Sequence, residues 1–146
     1  MTEAIDLGAF ATFIGLQIEE ASGDRVVLRW TVRPEQWQTY GILHGGVHCS
    51  VVETAASLGA ALWMGRRGQV VGVSNQTNFL RAVRDGVLTA TAVPVDRGQY
   101  QQLWDVEVID EGGRLVAVGH VRLQNIERDA AAPVPADSST ADGARA

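Results

Sequence analysis

Glu53 is the only formally charged residue between Gln36 and Gly65, and it stands among Val51, Val52, Ala55 and Ala56. A carboxylate on an apolar segment carries a heavy desolvation cost unless it is paired or protonated. No cation lies at helical spacing to pair with it, whereas Cys49, Ser50 and Ser57 do lie along that side. The acid therefore belongs to a narrow polar strip on an otherwise apolar helix. Upstream stand His44, Gly45 and Gly46. Glycines just ahead of a helix let a ligand approach the backbone and leave the first amides free to donate. Those amides, with the positive end of the helix dipole, suit an oxygen that gains negative charge during a reaction. An ionised carboxylate can act as general base or as nucleophile. Together the two features suit acyl transfer. A plainer reading gives His44 to helix entry, the glycines to a tight turn and Glu53 to a hydrogen bond at a subunit contact. It accounts for the His-Gly-Gly run better than for the isolated acid.

These residues need a helix to carry them and a layer to enclose it. Residues 47–64 contain no proline and many alanines and are apolar almost all round, which predicts an enclosed helix. Ile5, Leu7, Phe10 and Phe13 stand at partly helical spacing and predict a short helix over 4–13. In residues 26–32, Val26, Leu28, Trp30 and Val32 alternate with Arg29 and Thr31, Val27 being the exception. That pattern predicts a half-exposed strand, paired with residues 15–20 across the turn ASGD. After GRRGQ come four segments rich in Val and Thr, near 70–81, 87–96, 100–109 and 114–126. VRDG, DRGQ and DEGG separate them and supply turn-forming residues. The order predicts an α+β domain over residues 1–126, an antiparallel sheet wrapped around one long central helix. Residues 127–146 hold no aromatic or large aliphatic residue beyond Val134 and predict a flexible tail.

The whole chain narrows the function classes. Its 146 residues, 46% hydrophobic and 20% charged, fit one globular domain that needs no disulfide or metal staple. A net charge of -5, with basic residues scattered singly or in pairs, argues against a nucleic-acid surface. One cysteine, Cys49, excludes an intrachain disulfide and a cysteine zinc cluster. Acids occupy the amino terminus where a signal peptide would carry bases, and no apolar run approaches the ~18 residues needed to span a membrane. The expectation is a cytoplasmic protein with no metal, no cofactor, no membrane and no nucleic-acid partner.

HGG at 44–46 heading a long apolar helix, an acid nine residues after the His, and the later run GVSNQTNFLRAVRDG resemble the hotdog-fold acyl-coenzyme A thioesterases. The resemblance covers roughly residues 10–126. Within that superfamily the chain is similar to the aryl-coenzyme A branch, related to 4-hydroxybenzoyl and dihydroxynaphthoyl thioester hydrolases. That pattern of Gln, His, two Gly, Glu and Ser falls on Gln38, His44, Gly45, Gly46, Glu53 and Ser57. Phenylacetate-pathway thioesterases carry Asn and Asp at the positions of Gln38 and Glu53, and often a Ser on the following strand, here Ser74.

The resemblance implies that Glu53 activates water or attacks the thioester carbonyl directly. It implies that the Gly45 amide, helped by Gly46, holds the carbonyl oxygen and that Gln38 orients the thioester or the water. His44 would steady the loop and the departing thiolate, and Ser57 would hydrogen-bond Glu53. Arg97 and Gly98 resemble a family turn near the pantetheine exit, with Arg81, Arg66 and Arg67 as further candidates for the coenzyme A phosphates. An acidic chain must bind that anion through local basic groups rather than its overall field. Trp37, Tyr40, Trp63, Phe79 and Trp104 are candidates to line an acyl pocket, although a buried aromatic is more often simply core. His48 and Cys49 fall outside the pattern and are expected to pack.

Two other readings stand beside hydrolysis. A silent acyl-thioester sensor of this fold would carry a DNA-binding segment, for which the dozen residues before the first strand leave no room. A hydratase would present an Asp and His pair in a different motif, and the chain's histidines are His44, His48 and His120. Helix geometry adds an expectation about assembly. Gly45 and Glu53 are eight positions apart, roughly 12 Å along a helix axis at ~1.5 Å per residue. One carbonyl cannot meet both, since each must come within ~3 Å of the reacting atoms. A two-fold axis that sets two such helices antiparallel brings Glu53 of one chain beside Gly45 of the other. The expectation is a homodimer at minimum with shared sites, and the resemblance implies that such dimers pair into tetramers.

Overall fold

The alternation at residues 26–32 is realised as a strand inside a sheet, with Val26, Leu28 and Trp30 buried and Arg29 and Thr31 exposed. Val27 is buried as well. The computed structural model describes residues 4–129. Elements follow in the order α1 (Gly8–Ile14), β1 (Gln17–Ala21), β2 (Val26–Thr31), α2 (Gly45–Met64), β3 (Gly68–Phe79), β4 (Val87–Arg97), β5 (Gln101–Ile109) and β6 (Leu115–Glu127). Strand β6 reaches one residue past the predicted domain end, and residues 130–146 of the expected tail lie outside the described residues.

The six strands form one antiparallel sheet in the order β1-β2-β4-β5-β6-β3. Strands β4, β5 and β6 pair successively, as short links between them predict. Strand β3 departs from that expectation: it lies at the far edge beside β6, while β2 takes the free side of β4. The link over residues 80–86 makes this crossing possible. Its seven residues reach about 23 Å when extended, whereas three strand spacings cover about 14 Å.

Helix α2 lies across the sheet and packs Val51, Val52, Ala55, Ala56 and Ala60 into a core with Leu28, Trp30 and Trp104. It starts two residues earlier than predicted because His44 caps it, which draws both glycines into the first turn. At its other end Arg67 donates to the Met64 and Trp63 carbonyls, satisfying groups that a helix C-terminus leaves open. The helix is enclosed on one side only. Glu53, Thr54 and Ser57 are half-buried and Ala61 and Leu62 are exposed, because a single sheet can cover only one face of the cylinder. Strand β3 leaves its outer edge unpaired over twelve residues, with Val71, Val73 and Phe79 exposed. Among the described residues no helix is long and apolar enough to cross a membrane.

Candidate active site

The loop ahead of α2 is tied down at several points. Gln38 N–H donates to the Ile42 carbonyl, Leu43 N–H to Val83, and His44 N–H to Gln36. Trp37 and Leu43 form a short bridge, and the Trp37 indole donates to the Arg84 carbonyl at 2.7 Å. The Gln38 side-chain oxygen accepts from Tyr40 N–H, which leaves its amide NH2 to face other groups. His44 Nδ1 accepts from Gly46 N–H at 2.8 Å, so the proton of the neutral ring sits on Nε2, where it can donate. That contact occupies the Gly46 amide. The Gly45 amide, by contrast, has no acceptor among the described residues. A Cβ at Gly45 would come within 2.4 Å of the Phe79 ring, which would have to shift.

Glu53 lies two turns further on, half-buried on the flank of α2 that faces β3. Its Oε2 accepts from Asn75 Nδ2 at 3.1 Å and its Oε1 from Ser57 Oγ at 3.5 Å. Asn75 Nδ2 also donates to the Cys49 carbonyl at 3.0 Å, which fixes the amide against the helix. No cation pairs with Glu53 among the described residues. Gly72 gives the carboxylate its room, since a Cβ there would lie 1.9 Å from Oε1. A β-bulge sets this arrangement. The register jumps between Gly72, opposite Leu123, and Ser74, opposite Arg122, leaving Val73 unpaired. Facing residues of an antiparallel pair share a side of the sheet. Gly72 and Asn75 therefore point inward with buried Leu123 and Val121, and Ser74 points outward with exposed Arg122.

A free amide at a helix start and a hydrogen-bonded acid without a cation suit hydrolytic chemistry; comparison with known proteins decides the family. The thioesterase superfamily matches residues 40–117. The chain belongs to that superfamily. It is a thioester hydrolase with the hotdog fold. Over 121 residues it is 44% identical to Rv1847 of Mycobacterium tuberculosis, provisionally named an esterase, covering 81% of this chain and 86% of that one. It is 32% identical over 110 residues to the 1,4-dihydroxy-2-naphthoyl-CoA hydrolase of Listeria monocytogenes, covering 75% and 89%. The crystal structure of AziG from S. sahachiroi matches with a TM-score of 0.83 at 53% identity, over 84% of this chain and 100% of that one.

Set in a thioesterase, the residues singled out in the sequence fall into three places. Gln38, Gly45, Phe79 and Arg81 meet at one cavity of about 250 Å³, together with His48. Glu53 and Ser57 sit together further along the helix. Arg97 and Gly98 lie at the opposite end of α2, around Trp63 and Met64. There Arg97 bonds the Gly23 carbonyl and Asp24 at 2.6 and 2.8 Å and stands over the Trp63 ring. Arg67 also stands over that ring. Tyr40 is 81% exposed, and Trp104 is core. Sequence reasoning missed Asn75 and Gly72; His48, expected to pack, is buried against the Trp30 and Phe79 rings. A strict period of two along β3 puts Ser74 beside Gly72, and nothing in the residue types announces the bulge. His48 is buried and its pKa is pushed down to about 4 by desolvation, so its ring is neutral at neutral pH.

Proposed function

We propose that this protein hydrolyses an acyl thioester of coenzyme A, with an aromatic or otherwise compact acyl group, in sites shared between two copies of the chain. The observation that carries the reading is the setting of Glu53: a half-buried acid on the flank of α2 beside β3, held by an amide and a hydroxyl. The thioester carbonyl oxygen accepts from the Gly45 amide, and the Gln38 amide orients the thioester or the attacking water. Glu53 either takes a proton from that water or adds to the carbonyl carbon itself. In both routes charge builds on the oxygen facing Gly45, where the helix start stabilises it. The carbon–sulfur bond then breaks, and the His44 Nε2 proton is placed to meet the departing thiolate. Arg81, which lines the cavity, is the basic residue on it for the coenzyme A phosphates. The similarity to a dihydroxynaphthoyl-CoA hydrolase supports a compact aromatic acyl group.

Sharing follows from α2, which runs unbroken from Gly45 to Met64. Its rise of ~1.5 Å per residue keeps Gly45 and Glu53 of one chain roughly 12 Å apart along the axis. The open edge of β3, next to Asn75 and Glu53, gives a second copy a strand to meet. Position 49 lies midway between 45 and 53, so an antiparallel pairing sets Cys49 of both copies near the two-fold axis.

A panel of aromatic, short-chain and long-chain acyl-coenzyme A thioesters with thiol detection tests the activity, and aryl thioesters should exceed palmitoyl-coenzyme A in kcat/KM. Co-expression of inactive Glu53→Ala with inactive Gln38→Ala tests the sharing. Mixed dimers contain one site with both defects and one with neither, so activity should return. Verified mixed dimers without activity, or an active monomer, would refute the shared site.

A further inference from the structure

The side-chain amide of Asn75 is engaged at both its nitrogen and its oxygen. Nδ2 donates to the Cys49 carbonyl at 3.0 Å and to Glu53 Oε2 at 3.1 Å. Oδ1 accepts from the Thr77 hydroxyl at 2.7 Å. Asn75 and Thr77 stand two positions apart on β3, past the bulge, so both side chains point towards α2. The directions of these bonds are fixed by the partners. The Cys49 carbonyl and an ionised Glu53 can only accept, so the NH2 group must face them. The hydroxyl, which can donate or accept, is then left to donate to the amide oxygen. Space is kept clear at both ends of this chain of bonds. A Cβ on Gly119, opposite Thr77, would lie 3.0 Å from Thr77 Oγ1 and 2.4 Å from Val52 Cγ1. At the other end Gly72 leaves room for Glu53 Oε1. Attachment of β3 does not account for the arrangement, since the strand pairs with β6 from Gly68 to Phe79 and Phe79 stacks on His48.

We propose that Thr77 and Asn75 are positioning residues for the hydrolysis: Thr77 locks the Asn75 amide, and Asn75 holds the Glu53 carboxylate in the orientation from which it acts. This rests on the reading of Glu53 above. Exposure explains why a lock is needed. Asn75 is exposed, so water competes for its amide and the side chain could turn away from the acid, whereas Thr77 is half-buried beneath α2. Donation by Thr77 removes that freedom. It also polarises the amide, which strengthens the N–H bond to the carboxylate. The other bond to Glu53, from Ser57 Oγ, is long at 3.5 Å, so the carboxylate takes its orientation chiefly from Asn75. A carboxylate that swings by about an ångström meets the substrate less often in a reactive geometry. That loss falls on kcat, because the bound substrate is held by other groups.

The test measures kcat and KM separately on the best-cleaved thioester of the acyl panel. Asn75→Ala should lower kcat about twentyfold and leave KM within about threefold. Thr77→Val keeps the shape and loses the hydroxyl, and should lower kcat about fivefold. Thr77→Ser restores the hydroxyl and should recover most of that loss. In an Asn75→Ala background Thr77→Val should cost no further kcat, because Thr77 acts through Asn75. Where Thr77→Val does not fold, Thr77→Ala takes its place. A wild-type kcat in Asn75→Ala, a loss confined to KM, equal losses in Thr77→Val and Thr77→Ser, or effects that multiply in the double variant would overturn the assignment. Glu53→Ala separates this role from the reading it rests on. Activity retained there removes both, whereas an inactive Glu53→Ala beside a normal Asn75→Ala removes the positioning role alone. A second measurement needs no turnover and follows the Asn75 side-chain amide protons by NMR. The proton facing Glu53 should lie downfield in the wild type and move upfield in Glu53→Ala, and both protons should exchange faster with water in Thr77→Val. Spectra that are the same in all three proteins would show that the amide is not held in this way.

Discussion

The two ends of α2 are treated in opposite ways. At the carboxyl end, the Trp63 and Met64 carbonyls accept from Arg67, Arg97 is tied to Gly23 and Asp24, and a buried network closes on itself. In that network Trp104 donates to Gln102, Gln102 to Asn125, and Asn125 to the Gly98 and Gln99 carbonyls. At the amino end, the Gly45 amide beside the cavity and the buried His48 Nδ1 are left without partners among the described residues. One end anchors the fold and the other keeps its hydrogen-bonding capacity for something else. The contrast teaches where to look for chemistry in a small domain: unmet polar groups collect at functional sites, and stability is secured elsewhere.

Substitutions at either end should separate activity from stability. The largest effect is expected from Glu53→Ala, which should lower kcat/KM by a thousandfold or more while the melting temperature stays the same or rises, since a partly desolvated charge is removed and alanine favours helix. Turnover within tenfold of wild type would remove Glu53 from the chemistry. Gln102→Ala, at the anchoring end, should do the reverse. It strands the Trp104 N–H and the Asn125 oxygen in the core, at about 3 kcal/mol by urea unfolding, with kcat/KM within threefold where the variant is folded.

Acid should expose the unmet group at the amino end. The folded-state pKa of His48, about 4, lies below the unfolded value of 6.5. Above pH 6.5 neither state binds the proton. As pH falls from 6.5 towards 4 the unfolded chain takes it up first, so folding loses up to about 3 kcal/mol across that window. Arg81 is the charged residue on the same cavity. His48→Leu should lose less stability than wild type between pH 7 and 4.5; identical losses would show that this ring does not report on the cavity. The smallest effect is expected from Gly72→Ala. Its methyl group must displace the Glu53 carboxylate, which is the end of a flexible side chain, so a tenfold fall in kcat with little change in melting temperature should result.

Much of the fold was legible because burial repeats along the chain. Val26, Leu28 and Trp30 announced their strand by alternation, and the alanine-rich run from 47 announced α2. Glu53 was legible as the one acid in an apolar stretch. Other features depend on contacts between distant segments. The position of β3 beside β6 depends on a crossing link whose residues permit it but do not specify it. Asn75 reaches Glu53 only because Val73 bulges, and the residue types on either side of a bulge look the same as in a straight strand. Arg97 reads as a free cation in DRGQ, yet Asp24 and the Trp63 ring meet it from 73 and 34 positions away, contacts that only the folded sheet creates. His48 packs as expected, but nothing in its sequence neighbourhood says that its Nδ1 lacks a partner.

The place of β3 also has a consequence for synthesis. Residues 68–79 leave the ribosome well before β6, the only strand that pairs with them among the described residues, and β6 closes at Glu127. At about 5–20 residues per second, completing residues 80–127 takes about 2–10 s, during which both edges of β3 are bare. Its Val70, Val71, Val73 and Phe79 make that interval hazardous on a polysome, where identical nascent chains stand side by side. Slower elongation lengthens the interval and lower ribosome loading thins out the neighbours, so soluble yield should respond more to spacing along the messenger than to the temperature at which the finished protein melts.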